Sequence, residues 1–272
     1  MADIAWQVMY SLKTVDQWLG NIGEAMSYAG LNGYKAKRTS LSGKITDVIS
    51  APTSGLPGIQ FGDWNLNISK TYIDFSPGEF VASSESTHFA IESFEPKLST
   101  LTFFHLTDEN GKDYYTKDGE FHWDAAGYLR NGDGLYVVRS GATVPPIPVN
   151  IMNVVNRVSD ELPNGDINLQ AFDLVVNSTA SESFKYSAYG TNIFEFTGLG
   201  LLNLVATDPT GNIYDPTGTL IGKVHPNLLE KSNADLNILL PELDLAKKMY
   251  TVLSKLMQTE FSENDGILNI LK

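Results

Sequence analysis

Apolar residues recur at heptad spacing at both ends of this chain of 272 residues. Near the N-terminus the steps alternate between four and three residues, through Val8, Leu12, Val15, Leu19, Ile22 and Met26. After Leu236 and Leu239, the C-terminal row continues in the same way through Leu243, Ala246, Tyr250, Leu253 and Met257. This spacing is typical of the seam of a coiled coil, which has to pack against a partner helix. We therefore predict that both rows form an interface, either with each other or with the ends of other copies of the chain.

The two heptad rows lie in segments that are predicted to be helical. The first segment covers residues 3–30 and ends at the turn Gly30-Leu-Asn-Gly33, where glycine can take a positive φ. The second covers about residues 233–260. Because a proline costs about 3 kcal/mol in a helix interior, we expect the continuous part of this helix to begin at Pro241, and Gly266 to mark a further break.

The sequence between the helices is predicted to form β-structure. Short aromatic and β-branched runs are separated by turns that are typical of hairpins, at Asp108-Glu-Asn-Gly111, Lys117-Asp-Gly119 and Asn131-Gly-Asp-Gly134. A further strand is predicted at Ile167–Phe172, and residues 201–230 are predicted to be rich in loops.

These elements predict an α+β fold made of two domains. Residues 1–39 and 231–272 are predicted to form a discontinuous α-helical domain. Residues 40–230 are predicted to form a β-rich middle domain with extended connections. Because a helix with two apolar seam positions in seven is marginal alone in water, we expect the ends to be loose in a free monomer and ordered in an assembly.

Composition excludes several classes of function. The 19 Lys and Arg residues are outnumbered by 32 Asp and Glu, so the net charge of −13 argues against nucleic acid and anionic membranes as partners. The chain has no cysteine, which excludes zinc fingers, iron–sulfur sites, thiol catalysis and disulfides. The N-terminus lacks the features of a cleaved signal peptide, and no apolar stretch of about 18 residues predicts a membrane span.

No motif predicts catalysis, a cofactor or a metal site. The four histidines His88, His105, His122 and His225 are scattered and lack metal-ligand spacing. The segment Gly218–Val224 is not a phosphate loop, because it has three residues between its glycines and no Ser or Thr after the lysine. A polysaccharide-active enzyme would need a placed pair of carboxylates, and none is evident. We therefore predict that the protein is not an enzyme and needs no cofactor.

Several segments resemble the bacterial flagellar rod and hook proteins. Leu19–Lys35 is similar to the N-terminal signature of that family, roughly L-D-V-I-A-N-N-I-A-N-x-N-T-x-G-[FY]-K, although Glu24-Ala25 stands where the family has Asn-Asn. Further segments resemble family motifs, in the family's order: Asp74-Phe-Ser-Pro-Gly78, Tyr115-Thr-Lys-Asp-Gly-Glu-Phe121, Asp124–Gly134, Ser232-Asn-Ala-Asp-Leu236, and the spaced residues Tyr250, Lys255 and Thr259.

The resemblance implies a structural role. Members of the family place both termini in a coaxial helical tube and their β-rich middle domain in an outer layer. The resemblance therefore implies that residues 1–39 and 231–272 form the inner coiled-coil polymerisation layer and residues 40–230 the outer layer. They polymerise helically into the rod or hook of the bacterial flagellum, and the flagellar type III apparatus exports them without signal cleavage. The expected partners are thus other copies of the chain, adjacent rod or hook subunits and the export apparatus. The length favours a distal rod protein. A diverged subunit of a non-flagellar extracellular tube and an oligomeric surface adhesin are the alternatives.

Overall fold

The computed structural model describes residues 2–49, 60–94, 101–140, 148–149, 167–177, 184–198 and 203–270. The chain divides into two compact units. The helical unit consists of Met1–Ser27, Lys37–Tyr72 and Leu236–Lys272, and the β unit consists of Tyr28–Ala36 and Ile73–Asp235. Helices at both ends of the chain and strands between them confirm the predicted α+β class. The predicted domain boundaries stay a prediction.

Two long helices dominate the helical unit. Helix α1 spans Ala2–Ser27 and helix α2 spans Leu236–Ile270. The expected start of α2 at Pro241 is wrong, because the helix begins one turn earlier and passes through the proline. A proline there removes only one backbone donor, and the buried Leu239 and Ala246 flank it. The expected break at Gly266 is also absent, since a glycine weakens a helix by about 1 kcal/mol without ending it.

Helices α1 and α2 pack against each other and run antiparallel. Near the C-terminal end of α1, the indole Nε1 of Trp18 donates a hydrogen bond to Oε1 of Glu242 at 2.8 Å. Further toward the N-terminus of α1, Ser11 lines a groove together with Met249 and Leu253 of α2. Two long strands that pair with each other, β1 (Lys37–Ile49) and β2 (Gln60–Ile73), complete this unit, and β1 contacts α1.

Among the described residues, twelve strands of the β unit form one antiparallel sheet. Its main path runs β11-β12-β6-β5-β10-β13-β14-β15-β4, and the short strands β7, β8 and β9 extend it from β5. Strand β3 pairs separately with β16. The strands are β3 (Phe80–Ala82), β4 (Phe89–Ser93), β5 (Leu101–Thr107), β6 (Asp113–Thr116), β7 (Phe121–Trp123), β8 (Leu129–Asn131), β9 (Tyr136–Val137), β10 (Leu174–Asn177), β11 (Phe184–Tyr186), β12 (Ile193–Phe196), β13 (Asn203–Thr207), β14 (Asn212–Tyr214), β15 (Leu220–Pro226) and β16 (Leu228–Glu230).

The core of the β unit lies on both faces of strand β5. Every residue of β5 is buried, and its side chains alternate between two aromatic clusters. On one face Phe104 makes edge contacts with Phe121 and Phe172, and on the other Phe103 packs against Phe75 and Phe184. Each fully buried phenylalanine contributes about 1.5–3 kcal/mol of hydrophobic stabilisation, so the sheet has a core of its own.

One turn geometry recurs throughout the β unit. A side-chain oxygen accepts hydrogen bonds from the backbone N–H groups two and four residues later, and a glycine with positive φ follows at the third position. These side chains bind their own turn and therefore act structurally. The turns begin at Asp108, Asp124, Asn131, Asp208 and Asp215.

Three predictions for the β region need correction. Residues 201–230 were predicted to be rich in loops, but they contain strands β13 to β16, because the two Asp-Pro-Thr-Gly sequences are tight turns between short strands. Within the predicted strand Ile167–Phe172, residues Leu169–Ala171 form a 3-10 helix capped by Asn168. The turn at Lys117-Asp-Gly119 does not close a hairpin, because β6 and β7 pair with different strands.

Candidate assembly surface and buried hub

Helix α1 buries a face that is rotated from the predicted row of apolar residues. Val8, Val15 and Ile22 are buried as expected. The predicted Leu12, Leu19 and Met26 are only half-buried, and their places on the buried face are taken by Ser11, Trp18 and Ala25.

Strand β2 explains this rotation. The backbone N–H of Leu66 donates to Oγ of Ser11 at 3.1 Å, and Oγ1 of Thr14 donates to the carbonyl oxygen of Leu66 at 3.1 Å. The face of α1 that packs against β2 therefore carries small hydroxyl side chains. The spacing of apolar residues in the sequence does not reveal this face.

Helix α2 buries only part of its predicted row. Leu239 and Ala246 are fully buried, Leu243, Leu253 and Met257 are half-buried, and Tyr250 is 42% exposed. Antiparallel packing against α1 thus accounts for part of the predicted interface. Whether the whole set forms an interface between subunits stays a prediction.

A second apolar row runs along α2 and is largely exposed, although two of its members, Met249 and Val252, also line the groove with Ser11 and Leu66. Leu245, Met249, Val252 and Leu256 follow one another in steps of four, three and four residues, which is again heptad spacing. Leu245 is 53% exposed, Val252 65% and Leu256 44%, whereas Met249 is half-buried. We call this row the outer ridge. Its exposure is unusual for residues in the middle of an ordered helix, because contiguous apolar surface marks interaction sites.

Small and charged residues line the side of α1 that lies opposite its buried face. Gly20 and Gly23 lie there with Asp16 and Ser27, spaced by three or four residues, and all four are exposed. A Cβ atom added to either glycine would meet no other atom within 4 Å. Each glycine costs a helix about 1 kcal/mol relative to alanine, and no contact within the described subunit requires them. We call this surface the glycine face.

The two residues that depart from the family signature have local roles. The Nζ atom of Lys37 lies 3.1 Å from Oε2 of Glu24, which forms an ion pair between α1 and β1. Ala25 is fully buried on the packed face of α1, where a larger side chain would not fit without rearrangement. The substitution of Asn-Asn by Glu24-Ala25 therefore matches the environment that this chain provides.

The β unit contains a largely buried polar cluster, here called the hub, formed by Lys35, Lys117, Glu230 and Asn233. The Nζ atom of Lys35 donates to Oε1 of Glu230 at 2.5 Å and to the carbonyl oxygen of Ser76 at 2.9 Å. The backbone N–H of Gly78 donates to the same Oε1 at 3.0 Å. Because the side chains of Lys35 and Glu230 are 0% and 2% exposed, these hydrogen bonds are needed to offset the loss of hydration.

Asn233 joins both ends of the β unit's chain within the hub. Its Oδ1 accepts a hydrogen bond from the backbone N–H of Ala36 at 2.8 Å, and its Nδ2 donates to the carbonyl oxygen of Asp74 at 2.6 Å. The backbone N–H of Asn233 also donates to the carbonyl oxygen of Tyr34. One amide side chain thus ties the segments that enter and leave the β unit.

Close backbone approaches explain the glycines around the hub. Gly33 has a φ of 68°, and a Cβ atom there would lie 2.3 Å from the backbone nitrogen of Asp118. A Cβ on Gly78 would lie 2.0 Å from the carbonyl oxygen of Lys231. Only glycine fits at such positions. The motif-like segments that contain Lys35, Gly78, Asp118 and Asn233 therefore converge on one place and serve a structural purpose.

Lys117 brings a second buried amine to the hub. It is fully buried, and its Nζ lies 5.5 Å from the centre of the Phe103 ring. Burial lowers the pKa of Lys117 to about 8, against the opposing charge of Glu230 and with a further contribution from Lys35. The sequence gives no sign of this burial, because a lysine between a strand and a turn is usually exposed.

A buried histidine cluster was also missed by sequence reasoning. Nδ1 of His105 is hydrogen-bonded to Oδ2 of Asp173 at 2.8 Å, and Nε2 lies 3.0 Å from Oδ1 of Asp113 in an ion-pair contact. Burial opposes the charged imidazolium, but the two carboxylates outweigh it and raise the pKa of His105 to about 9. Strand pairing brings these residues together from positions far apart in the chain, so spacing alone could not predict the cluster.

A cleft of about 640 Å³ in the β unit is lined by acidic side chains and tyrosines. Burial raises the pKa of Asp118 to about 7, and the charges of Glu120 and Asp133 raise it further, against hydrogen bonds from the backbone N–H of Glu120 and from Asn192. Among the described residues, no group of three or more His, Asp or Glu side chains is arranged to hold a metal ion.

Comparison with known proteins gives a family match to part of the chain. A family model described as the flagellar hook protein FlgE/F/G D1 domain matches residues 101–170, which include strands β5 to β9 and the start of the 3-10 helix. A search of curated proteins returned no match to the chain. The match supports a relation to the structural rod and hook proteins at the level of the family. In the described part of the chain, neither helix is long and apolar enough to cross a membrane.

Proposed function

We propose that this protein is a structural subunit that polymerises helically, through its terminal helices, into a hollow extracytoplasmic tube of the flagellar rod or hook type. The family match to residues 101–170 supports the class. The hub supports the same conclusion, because the motif-like segments outside the matched region are in contact with Lys117 and Asp118 within it.

The exposed outer ridge is the main observation that supports polymerisation. A soluble monomer normally leaves few large apolar side chains exposed on one helix face, yet Leu245, Val252 and Leu256 are exposed in register on α2. Burying each of them in a neighbour would contribute about 1–2 kcal/mol at roughly 25 cal/mol per Å² of apolar surface. A subunit that repeats this contact at every step would gain stability from assembly.

Finer aspects of this proposal follow the resemblance. Among rod and hook proteins we propose a distal rod protein, exported by the flagellar type III apparatus and placed at the basal body or hook next to other rod or hook subunits. The partners proposed are therefore copies of the chain and neighbouring axial proteins. No catalytic activity or cofactor is proposed.

Electron microscopy of the concentrated full-length protein tests the proposal. We expect hollow helical tubes that lengthen with protein concentration, because a contact whose rotation does not close generates an open filament. Discrete trimers would instead favour an oligomeric adhesin, and a monomer at every concentration would exclude a polymer that forms without further components.

Substitutions in the predicted interface sharpen this test. Leu19→Asp and Leu253→Asp should each abolish tubes, because an unpaired carboxylate in a buried contact costs several kcal/mol. The matched control is Leu220→Asp, which makes the same change at an exposed position of the β unit and should leave tubes intact. Normal tubes from both seam variants would contradict the predicted interface.

A further inference from the structure

The outer ridge and the glycine face both lie in the helical unit, where Leu245, Val252, Leu256, Gly20 and Gly23 are exposed. We infer that the outer ridge of one copy packs against the glycine face of α1 in a second copy. The inference rests on the proposed function and adds to it the two surfaces that meet.

The shapes of the two surfaces are complementary. The outer ridge presents large branched or long side chains from Leu245, Val252 and Leu256, whereas the glycine face offers open space at Gly20 and Gly23. Helix axes lie about 8–10 Å apart depending on the side chains at the contact, and glycines allow the closest approach. An outer ridge that packs on glycines therefore buries more apolar surface than one that packs on another outer ridge. Two ridges in contact would hold the helices apart.

The two glycines differ from the signature to which Leu19–Lys35 is similar. The family signature given above has Asp and Ala at the positions of Gly20 and Gly23. Both substitutions to glycine weaken an isolated helix, and no atom of the described subunit occupies the space that a side chain would fill. A contact outside the subunit is a physical reason for two such residues on one face.

Charge on the two surfaces favours the same pairing. Asp16 lies on the glycine face one turn before Gly20, and Lys255 lies beside Val252 and Leu256 at the edge of the outer ridge. Both side chains are exposed, and neither forms an ion pair with a described residue. Other charges near these surfaces include Lys13 and Glu24 on α1, of which Glu24 is paired with Lys37. On α2 they include Glu260 and the pair formed by Asp244 and Lys248, whose charged atoms lie 2.6 Å apart. Asp16 and Lys255 are thus free to pair between copies.

The contact joins two different surfaces and is therefore heterologous. Each copy carries one outer ridge and one glycine face, so every copy added leaves a ridge or a face free for the next. Such contacts form rings when the rotation closes and open helical polymers when it does not. This is the geometry that a tube-forming subunit requires.

Substitution of both glycines should have opposite effects on two measured quantities. It should stabilise the free subunit and weaken assembly. Gly20→Ala with Gly23→Ala should raise the thermal midpoint of the unassembled subunit, since alanine favours helix. The same variant should raise the critical concentration for tube formation by about tenfold, because methyl groups hold the ridge away. Lys247→Ala, on another side of α2, should leave the critical concentration unchanged. An unchanged or lower critical concentration in the glycine variant would overturn the inference.

Charge reversal identifies the partner surface. Asp16→Lys and Lys255→Asp should each raise the critical concentration by about tenfold, since like charges then face each other. The variant with both changes should return to within about threefold of the original protein, whereas Lys247→Asp should have no effect. If the original protein forms tubes but the double variant is no better than the worse single variant, the pairing is wrong and the proposed function stands. Absence of self-association in the original protein would overturn both.

Discussion

The β unit buries charge, whereas the helical unit exposes apolar surface. Lys35, Lys117 and Glu230 lie in the interior of the β unit, where Lys35 is hydrogen-bonded to Glu230 and Lys117 lies over the ring of Phe103. In the helical unit, Leu245 and Val252 of α2 are exposed in an ordered helix. This difference indicates that the β unit encloses charged groups together with its own apolar core, whereas the helical unit leaves a row of apolar side chains at its surface.

The largest expected effect comes from the ion pair of the hub. Glu230→Gln leaves the buried ammonium of Lys35 without its counter-charge, and we expect unfolding of the β unit to become easier by about 3–5 kcal/mol. Denaturant unfolding followed by tryptophan and tyrosine fluorescence measures the change. The matched control in the helical unit is Asp244→Asn, which breaks the exposed pair with Lys248 and should cost at most about 0.5 kcal/mol. Equal losses of stability from the two substitutions would contradict the claim that charged groups are buried in the β unit and exposed in the helical unit.

A second expected effect is a dependence of β-unit stability on His105 and pH. The folded protein favours the imidazolium, because the pKa rises from 6.5 to about 9. This stabilisation is complete below pH 6.5 and is lost as the pH rises through 9, for a total of about 3 kcal/mol.

The difference in unfolding free energy between the original protein and His105→Gln should therefore shrink over that interval. Taking the difference largely cancels the changes that Lys117 and Asp118 contribute to both proteins. A constant difference for His105→Gln would show that the cluster does not hold a charged imidazole.

A smaller change in stability is expected when one valine in each unit is replaced by alanine. Val224 is fully buried in the β unit, so Val224→Ala should destabilise the protein by about 2 kcal/mol. Val252 is exposed on the outer ridge, so Val252→Ala should change the stability of the free subunit by less than about 0.5 kcal/mol while weakening assembly. Thermal unfolding and sedimentation separate the two quantities. A large loss of monomer stability from Val252→Ala would mean that the ridge is already covered within the subunit.

Much of the secondary structure could be predicted from local patterns. The heptad rows predicted both helices, and the turns at Asp108 and Asn131 were found because Asp, Asn and Gly have strong local preferences. The predicted start of α2 at Pro241 failed because tertiary packing of buried neighbours overrode a local cost.

The candidate surfaces were predicted only in part. The buried face of α1 is displaced from the predicted row because Ser11 and Thr14 bind the backbone of β2, a contact between residues more than fifty positions apart. The hub and the cluster around His105 also depend on strand pairing across the whole β unit. The outer ridge was present in the sequence as a second heptad row, but only its exposure in the fold distinguishes it from the row that packs on α1.

The comparison between the units is tested most directly by amide hydrogen exchange on the free subunit and on the assembled protein. In the dilute monomer we expect the amides of α2 between Leu245 and Leu256 to exchange through local opening, while those of β5 and β10 exchange only on global unfolding. On assembly, protection of the α2 amides should rise by about tenfold or more, and that of the β5 amides should stay the same. Equal protection of α2 in both states, or a rise confined to the β unit, would contradict the division of roles between the two units.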